Sequence, residues 1–319
     1  MNNFIDLHVL PRKTMNKNEF LKVSPDCSIA LDGVVIGGPF YDETTKHANF
    51  DHHDNVVREA TMSTCKQVLF AIKGGLFKSF QENGLPIAHV YVNDPDQDTA
   101  LSLWELDNYK LLEGTQSIPS ISRLIGLTDE LDITGGSYPR KLDERLLRQH
   151  NWVFDAYNQL RKSGSLANAS EAVIRDNLEA TLARISKFMM GSGGEKSLDP
   201  KYEVLHDSKF GYKVLNEIGG NEARYILFSQ GMDAFISLVA TRHDNRKVWS
   251  VGRRSPFIPF PVNELYDVYN QAEGFTRENG WNGSTLVGGS SREHGSGLDY
   301  KQLVELTDAH LEKKYGSKK

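Results

Sequence analysis

Short β-branched runs alternate with longer stretches of helical periodicity through roughly the first 140 residues, and that order most restricts the fold. Strand, loop and helix in succession predict an α/β architecture, a mostly parallel sheet with helices on both faces. SIALDGVVIGG (28–38) and IAHVYVND (87–94) read as strands. ATMSTCKQVLFAIKGG (60–75) reads as a helix closed by glycine, with Met62, Cys65, Val68, Leu69 and Ile72 at helical spacing. TALSLWELDNYKLL gives a second helix, and SRLIGLTDELD a third strand or a helix end feeding an acidic loop. From 140 to 190 the pattern is helical throughout, with Ser170 as an N-cap. The Gly/Ser-rich GSGGEKSLDP (191–200) marks the best boundary. The expected organisation is an N-terminal domain over 1–139, a helical connector and linker over 140–199, and a smaller α/β domain over 200–319.

Composition narrows the class. A chain of 319 residues exceeds the usual single core, and 39% apolar with 25% charged residues describes an ordinary globular protein. A net charge of −5 argues against a coat of positive charge for long duplex DNA. Cys27 and Cys65 form no CxxC pair and read as buried small hydrophobes in a reducing cytoplasm. The opening residues lack the order of a signal peptide, and no apolar run reaches membrane-spanning length, so the expectation is a soluble cytoplasmic protein.

Chemistry concentrates in the first domain. HANFDHHDN places Asp51, His52, His53 and Asp54 together, a run that is either a solvated turn or a metal site. Asp94, Asp96 and Asp98 alternate directly after a strand and before a helix, where carboxylates can converge at the C-terminal edge of a parallel sheet. The competing reading makes Asp98 an N-cap and Asp94-Pro95 a turn. GLTDELDITGG adds Asp129, Glu130 and Asp132, and Asp32 and Asp42 flank GVVIGGPFY. Such acid-rich loops repel one another without a cation, and one or two divalent ions resolve the repulsion.

FDHHD followed by REATMSTCKQVL resembles the DHH phosphoesterase superfamily, most closely the branch with the melanocyte-proliferating-gene exonucleases. NDPDQDTALSLWEL is similar to the superfamily's DxD-bearing first motif, and GLTDELDITGG to its fourth. VWSVGRRSP and LVGGSSREHGSG resemble its associated C-terminal substrate domain. The resemblance implies a phosphoesterase with one or two Mn2+ per chain, Mg2+, Co2+ or Fe2+ serving as substitutes. Its metal ligands come from His52, Asp96, Asp98, Asp129, Asp32, Asp94 and Asp132; His53 acts on the substrate and Asp51 orients the histidines. The chain departs from the pattern in having its DxD stretch after the DHH stretch. Val92 stands where the family's first-motif histidine belongs, with His89 one strand repeat away and His8 in IDLHVLP a further imidazole. Val35 stands at the bridging-aspartate position, Asp32 being the nearest carboxylate.

On the substrate side, Arg253 and Arg254 offer guanidinium groups for phosphate, and Gly288, Gly289 and Ser290 offer accessible backbone N–H groups. Arg292 and His294 add positive donors. The expected partner is a nucleotide or a short single-stranded oligonucleotide, with no membrane and with a homodimer compatible. The alternative is a catalytically degenerate relative that binds such a ligand without turnover, and metal content separates the two.

Overall fold

The computed structural model describes residues 2–136, 143–291 and 293–316. The chain divides into two compact units, one built from 1–133, 143–159 and 168–197 and the other from 134–142, 160–167 and 198–319. The late crossing between them falls inside the Gly/Ser-rich stretch.

The first unit holds a five-stranded sheet of β1 (Ile5–Val9), β2 (Ser28–Leu31), β3 (Phe40–Asp42), β4 (His47–Phe50) and β5 (Ala88–Val92). The spatial order is β1-β5-β2-β4-β3, parallel throughout except for the antiparallel edge strand β3. Ile29 is in register with both Val90 and Ala48, and all three are fully or almost fully buried. Alternation puts Ile5, Leu7 and Val9 on one face and Asp6 and His8 on the other. On that second face Phe20 of α1 (Lys17–Val23) packs against Ala30 and Tyr91.

The expected single strand over 28–38 is broken after Leu31. Asp32 and Gly33 take left-handed backbone angles, φ 51° and 86°, which turn the chain at the sheet edge. Helix α2 (Thr64–Lys73) starts four residues later than the periodicity suggests, because Arg58–Ala60 forms a separate 3-10 turn. It packs on α3 (Gln97–Asp107) and α4 (Pro119–Ile133). Of the two readings of SRLIGLTDELD, the helix forms, as part of α4; the correction is that Asp129 and Asp132 lie in its last turns and not in an acidic loop beyond it. Helices α5 (Glu144–Val153), α6 (Asp155–Lys162) and α7 (Glu171–Met189) follow, with Ser170 capping α7 as expected; α7 packs on α3, α5 and β1.

The second unit contains a six-stranded mixed sheet. Its strands β6 (Glu203–Asp207), β7 (Tyr212–Asn216), β8 (Ala234–Thr241), β9 (Lys247–Arg253), β10 (Asn282–Gly283) and β11 (Val287–Gly289) run in the order β6-β7-β8-β9-β11-β10. Only β7 and β8 pair in parallel. Helices α8 (Asn221–Ser229), α9 (Val262–Glu273) and α10 (Tyr300–Tyr315) complete it. Its core is aromatic, with Trp249, Trp281, Tyr212, Tyr266, Tyr269 and Phe260 buried together. Among the described residues no helix is long and apolar enough to cross a membrane. Both cysteines are buried and free, as expected.

Candidate metal centre

Parallel strands deliver their C-terminal ends to one edge of a sheet, and β2 and β4 end directly before Asp32 and Asp51. The Asp32 amide donates to Phe50 O at 3.0 Å, extending that pairing by one rung. Asp51 folds its side chain back onto the residues that follow it. Its Oδ1 accepts from the His52 amide at 2.8 Å, the His53 amide at 3.1 Å and His53 Nδ1 at 2.8 Å. Gln67 of α2 donates to Asp51 O at 2.9 Å and ties the histidine turn to the helix.

Two helix termini supply the remaining acids. Asp98, in the first turn of α3, accepts from the Thr64 and Cys65 amides of α2 at 2.6 and 2.7 Å. A carboxylate at a helix N-terminus is favoured there by the oriented amide dipoles. Asp132, near the end of α4, meets the almost buried Arg58, whose guanidinium donates to Asp132 O at 2.9 Å, Ile133 O at 3.2 Å and Asp132 Oδ2 at 3.4 Å. Thr64 donates its hydroxyl to Asp32 Oδ1 at 2.9 Å.

His52 stands where these groups meet. Its Nε2 is 2.6 Å from Asp132 Oδ2 and 3.7 Å from both Asp32 Oδ1 and Asp98 Oδ2. The imidazole is fully buried, yet neither ring nitrogen has a hydrogen bond of normal geometry. Two overlapping ligand groups result, His52 with Asp98 and Asp132, and His52 with Asp32 and His53. Within each, the ligating atoms lie within 4.8 Å of one another.

The electrostatics are those of carboxylates crowded together out of water. Burial, followed by the charges of Asp96, Asp98 and Asp132, pushes the Asp32 carboxyl well above the usual range. Burial and then Asp132 and Asp96 push Asp98 up to about 8. Burial opposes ionisation of Asp132 as well, but His52 and Arg58 together hold it well below the ordinary carboxylate range. Burial also lowers His52, so its ring favours the neutral form that a metal requires. One buried imidazole with unsatisfied nitrogens, facing three carboxylates, is a donor set capable of holding a divalent ion.

Not every expected ligand joins. Asp96 is the N-cap of α3, accepting from the Thr99 amide at 2.8 Å, and its carboxyl sits in hydrogen-bonding reach of Asp32. The cap expected at Asp98 is therefore at Asp96. Asp129 accepts from the Ser63 amide at 2.9 Å and from Lys66 Nζ at 2.6 Å, so it caps α2 and stands outside both ligand groups. Asp94 is a member of neither group. His53, expected to act on the substrate, also has its Nδ1 3.4 Å from Asp32 Oδ1 and belongs to the second group. Arg58 and Thr64 were missed as site residues, although both lie within the REATMSTCKQVL stretch that carries the resemblance. Glu105, also missed, is buried on α3 with neither carboxylate oxygen hydrogen-bonded.

In the second unit the anticipated phosphate-gripping residues serve the fold. Arg253 donates to Thr285 O, Pro256 O and Ile258 O, and Arg254 pairs with Asp233 at 2.5 Å. Gly288 and Gly289 form strand β11 and not a loop. A Cβ on Gly288 would come within 2.2 Å of Tyr266 Oη, so close packing requires glycine there. Ser290 accepts from the Trp249 amide at 3.0 Å, and His294 stacks on Phe275. Arg292 lies outside the described residues.

No protein-family model matches the chain, and no curated protein matches it either.

Proposed function

We propose that the chain is a divalent-metal-dependent phosphoesterase of the DHH type. It hydrolyses a phosphodiester or phosphomonoester of a nucleotide or short single-stranded oligonucleotide, exonuclease action on the latter included. The observation that carries this reading is the buried, unsatisfied His52 imidazole encircled by Asp32, Asp98 and Asp132. When bound by these residues, a divalent ion such as Mn2+ supplies the charge that lowers the pKa of water and offsets phosphoryl charge.

The chain's own groups perform the rest. Asp51 holds His53 through Nδ1, which fixes the tautomer and leaves Nε2 as the imidazole's remaining nitrogen. His53 is the half-buried member of the pair, with a side chain 35% exposed, so it meets a phosphate entering from solvent. There, in its imidazolium form, it donates a hydrogen bond from Nε2 to the phosphoryl group or passes that Nε2 proton to the departing oxygen, returning to the neutral ring held by Asp51. Arg58 fixes Asp132, and Thr64 fixes Asp32. The two free, buried cysteines suit a reducing cytoplasm.

The test is to incubate the protein with Mn2+, then Mg2+, Co2+ and Fe2+, against nucleotides, cyclic dinucleotides, short oligonucleotides and simple phosphomonoesters. Hydrolysis of at least one class, abolished by a chelator and by His52→Ala, is expected. Binding of an ion and a nucleotide with no turnover of any substrate would replace this reading with a non-catalytic binding role.

A further inference from the structure

The two imidazoles that could have completed the central cluster lie elsewhere. His8 and His89 share a sheet face with Asp6, while the central cluster is built from residues beyond the strand ends. Strands β1 and β5 pair in register, with Asp6 beside His89 and His8 beside Tyr91. Alternation along β1 brings Asp6 and His8 to the same face, and the neighbouring strand contributes His89 beside them. No residue is shared between this group and the central one.

The geometry suits an ion. Asp6 Oδ2 lies 2.9 Å from His8 Nε2 and 3.0 Å from His89 Nδ1, and all three ligand atoms fall within 4.8 Å of one another. Metal–nitrogen and metal–oxygen bonds of ~2.0–2.1 Å in a tetrahedral site put neighbouring ligand atoms about 3.3 Å apart. The two separations from Asp6 therefore need only a small adjustment. His8 Nε2 is itself screened from solvent and has no hydrogen bond of normal geometry, although it is close to a carboxylate. The His8 ring is held flat against Tyr91, with centroids 4.5 Å apart and planes 12° from parallel. A hydrogen bond from His89 is the largest influence holding the Asp6 carboxyl below its usual range, so it stands ionised.

We propose that Asp6, His8 and His89 form a second metal site, selective for a borderline divalent ion such as Zn2+. Two imidazole nitrogens and one carboxylate oxygen favour Zn2+ over the harder Mg2+ or Mn2+. Three protein ligands leave a fourth position, and the 57%-exposed Asp6 side chain marks its open side. The proposal is independent of whether the central cluster hydrolyses phosphoesters.

To test it, chelator-stripped full-length protein is titrated with Zn2+ by calorimetry, in the wild type and in a His52→Ala background that weakens the central cluster. Asp6→Asn and His89→Ala are then introduced singly into the His52→Ala protein, with circular dichroism to verify folding. The number of tightly bound Zn2+ is expected to fall by one in each. An unchanged number would overturn the proposal. Asp6→Asn, at an exposed position, keeps the test decisive if the histidine variant fails to fold.

Discussion

The two units bury charge in opposite ways. In the second, Glu217 and Arg224 are both buried and satisfy each other, with the Arg224 Nε and NH2 groups donating to the two carboxylate oxygens of Glu217. In the first, Asp32, Asp98 and Asp132 crowd around His52; Thr64, Cys65 and Arg58 donate to them, but neither His52 ring nitrogen gains a hydrogen bond of normal geometry. A buried pair that closes on itself is structural; its desolvation cost is offset within the protein. The acids gathered around the unsatisfied imidazole are compensated only in part, Asp132 by Arg58 and Asp98 by two backbone amides. The cost is offset by proton uptake, as the raised Asp32 and Asp98 carboxyls show, or by a cation, and this asymmetry marks the candidate site.

The largest effects should come from the histidine pair. His52→Ala should lose both ion and turnover, whereas His53→Ala should keep the ion and lose turnover by roughly 10²–10⁴. Metal content measured beside initial rates checks both, and equal metal loss in the two variants would make His53 a ligand. In the second unit, Arg224→Met should cost about 3–5 kcal/mol in a denaturant titration, because it strands Glu217 in the core. Adding Glu217→Leu to that variant should recover most of the loss. A neutral outcome for Arg224→Met alone would break the contrast between the units.

His150 of α5 is a third kind of buried group, neutral and partnered by the Thr128 hydroxyl at 3.2 Å. Burial lowers its pKa to about 3. The unfolded chain, with an ordinary imidazole near ~6.5, then binds a proton that the folded chain refuses. Its contribution to stability is complete above about pH 6.5 and is lost as pH falls toward 3, at up to ~1.4 kcal/mol per pH unit. His150→Gln should flatten that part of the stability–pH curve. The smallest effect has the opposite sign to most mutations. In metal-free protein, Asp32→Asn should stabilise by about 0.5–2 kcal/mol by relieving repulsion, a thermal melt being the check. Destabilisation would mean that Asp32 is held for the fold.

Much of this was legible in the sequence, for a definite reason. Strand-end acids announce themselves by position, so Asp32, Asp51, His52 and Asp98 could be picked out from the order of apolar runs. Helix α4 could not, since its apolar residues suit a strand or a helix equally over a short window. That ambiguity decided the fate of Asp129 and Asp132. They are three residues apart and so neighbours on one helical surface, but one is captured by Ser63 and Lys66 while the other reaches His52. Arg58 was invisible because its role depends on where α4 ends. The second unit misled in another way. VGGSS reads as a phosphate cradle by composition, whereas Gly288 is demanded by the Tyr266 hydroxyl and Gly289 by the Trp249 carbonyl packed against it. The two strand histidines gave no sign of partnership, because their contact depends on the register between β1 and β5.

The central claim is that His52, Asp32, Asp98 and Asp132 exist to hold a divalent ion. Crystals grown with Mn2+ and measured across the manganese edge test it most directly. The account predicts an anomalous peak bounded by His52 Nε2 and the three carboxylates. Full-length protein in saturating Mn2+ with no peak at that position, and its side chains packed as they are now, would contradict it.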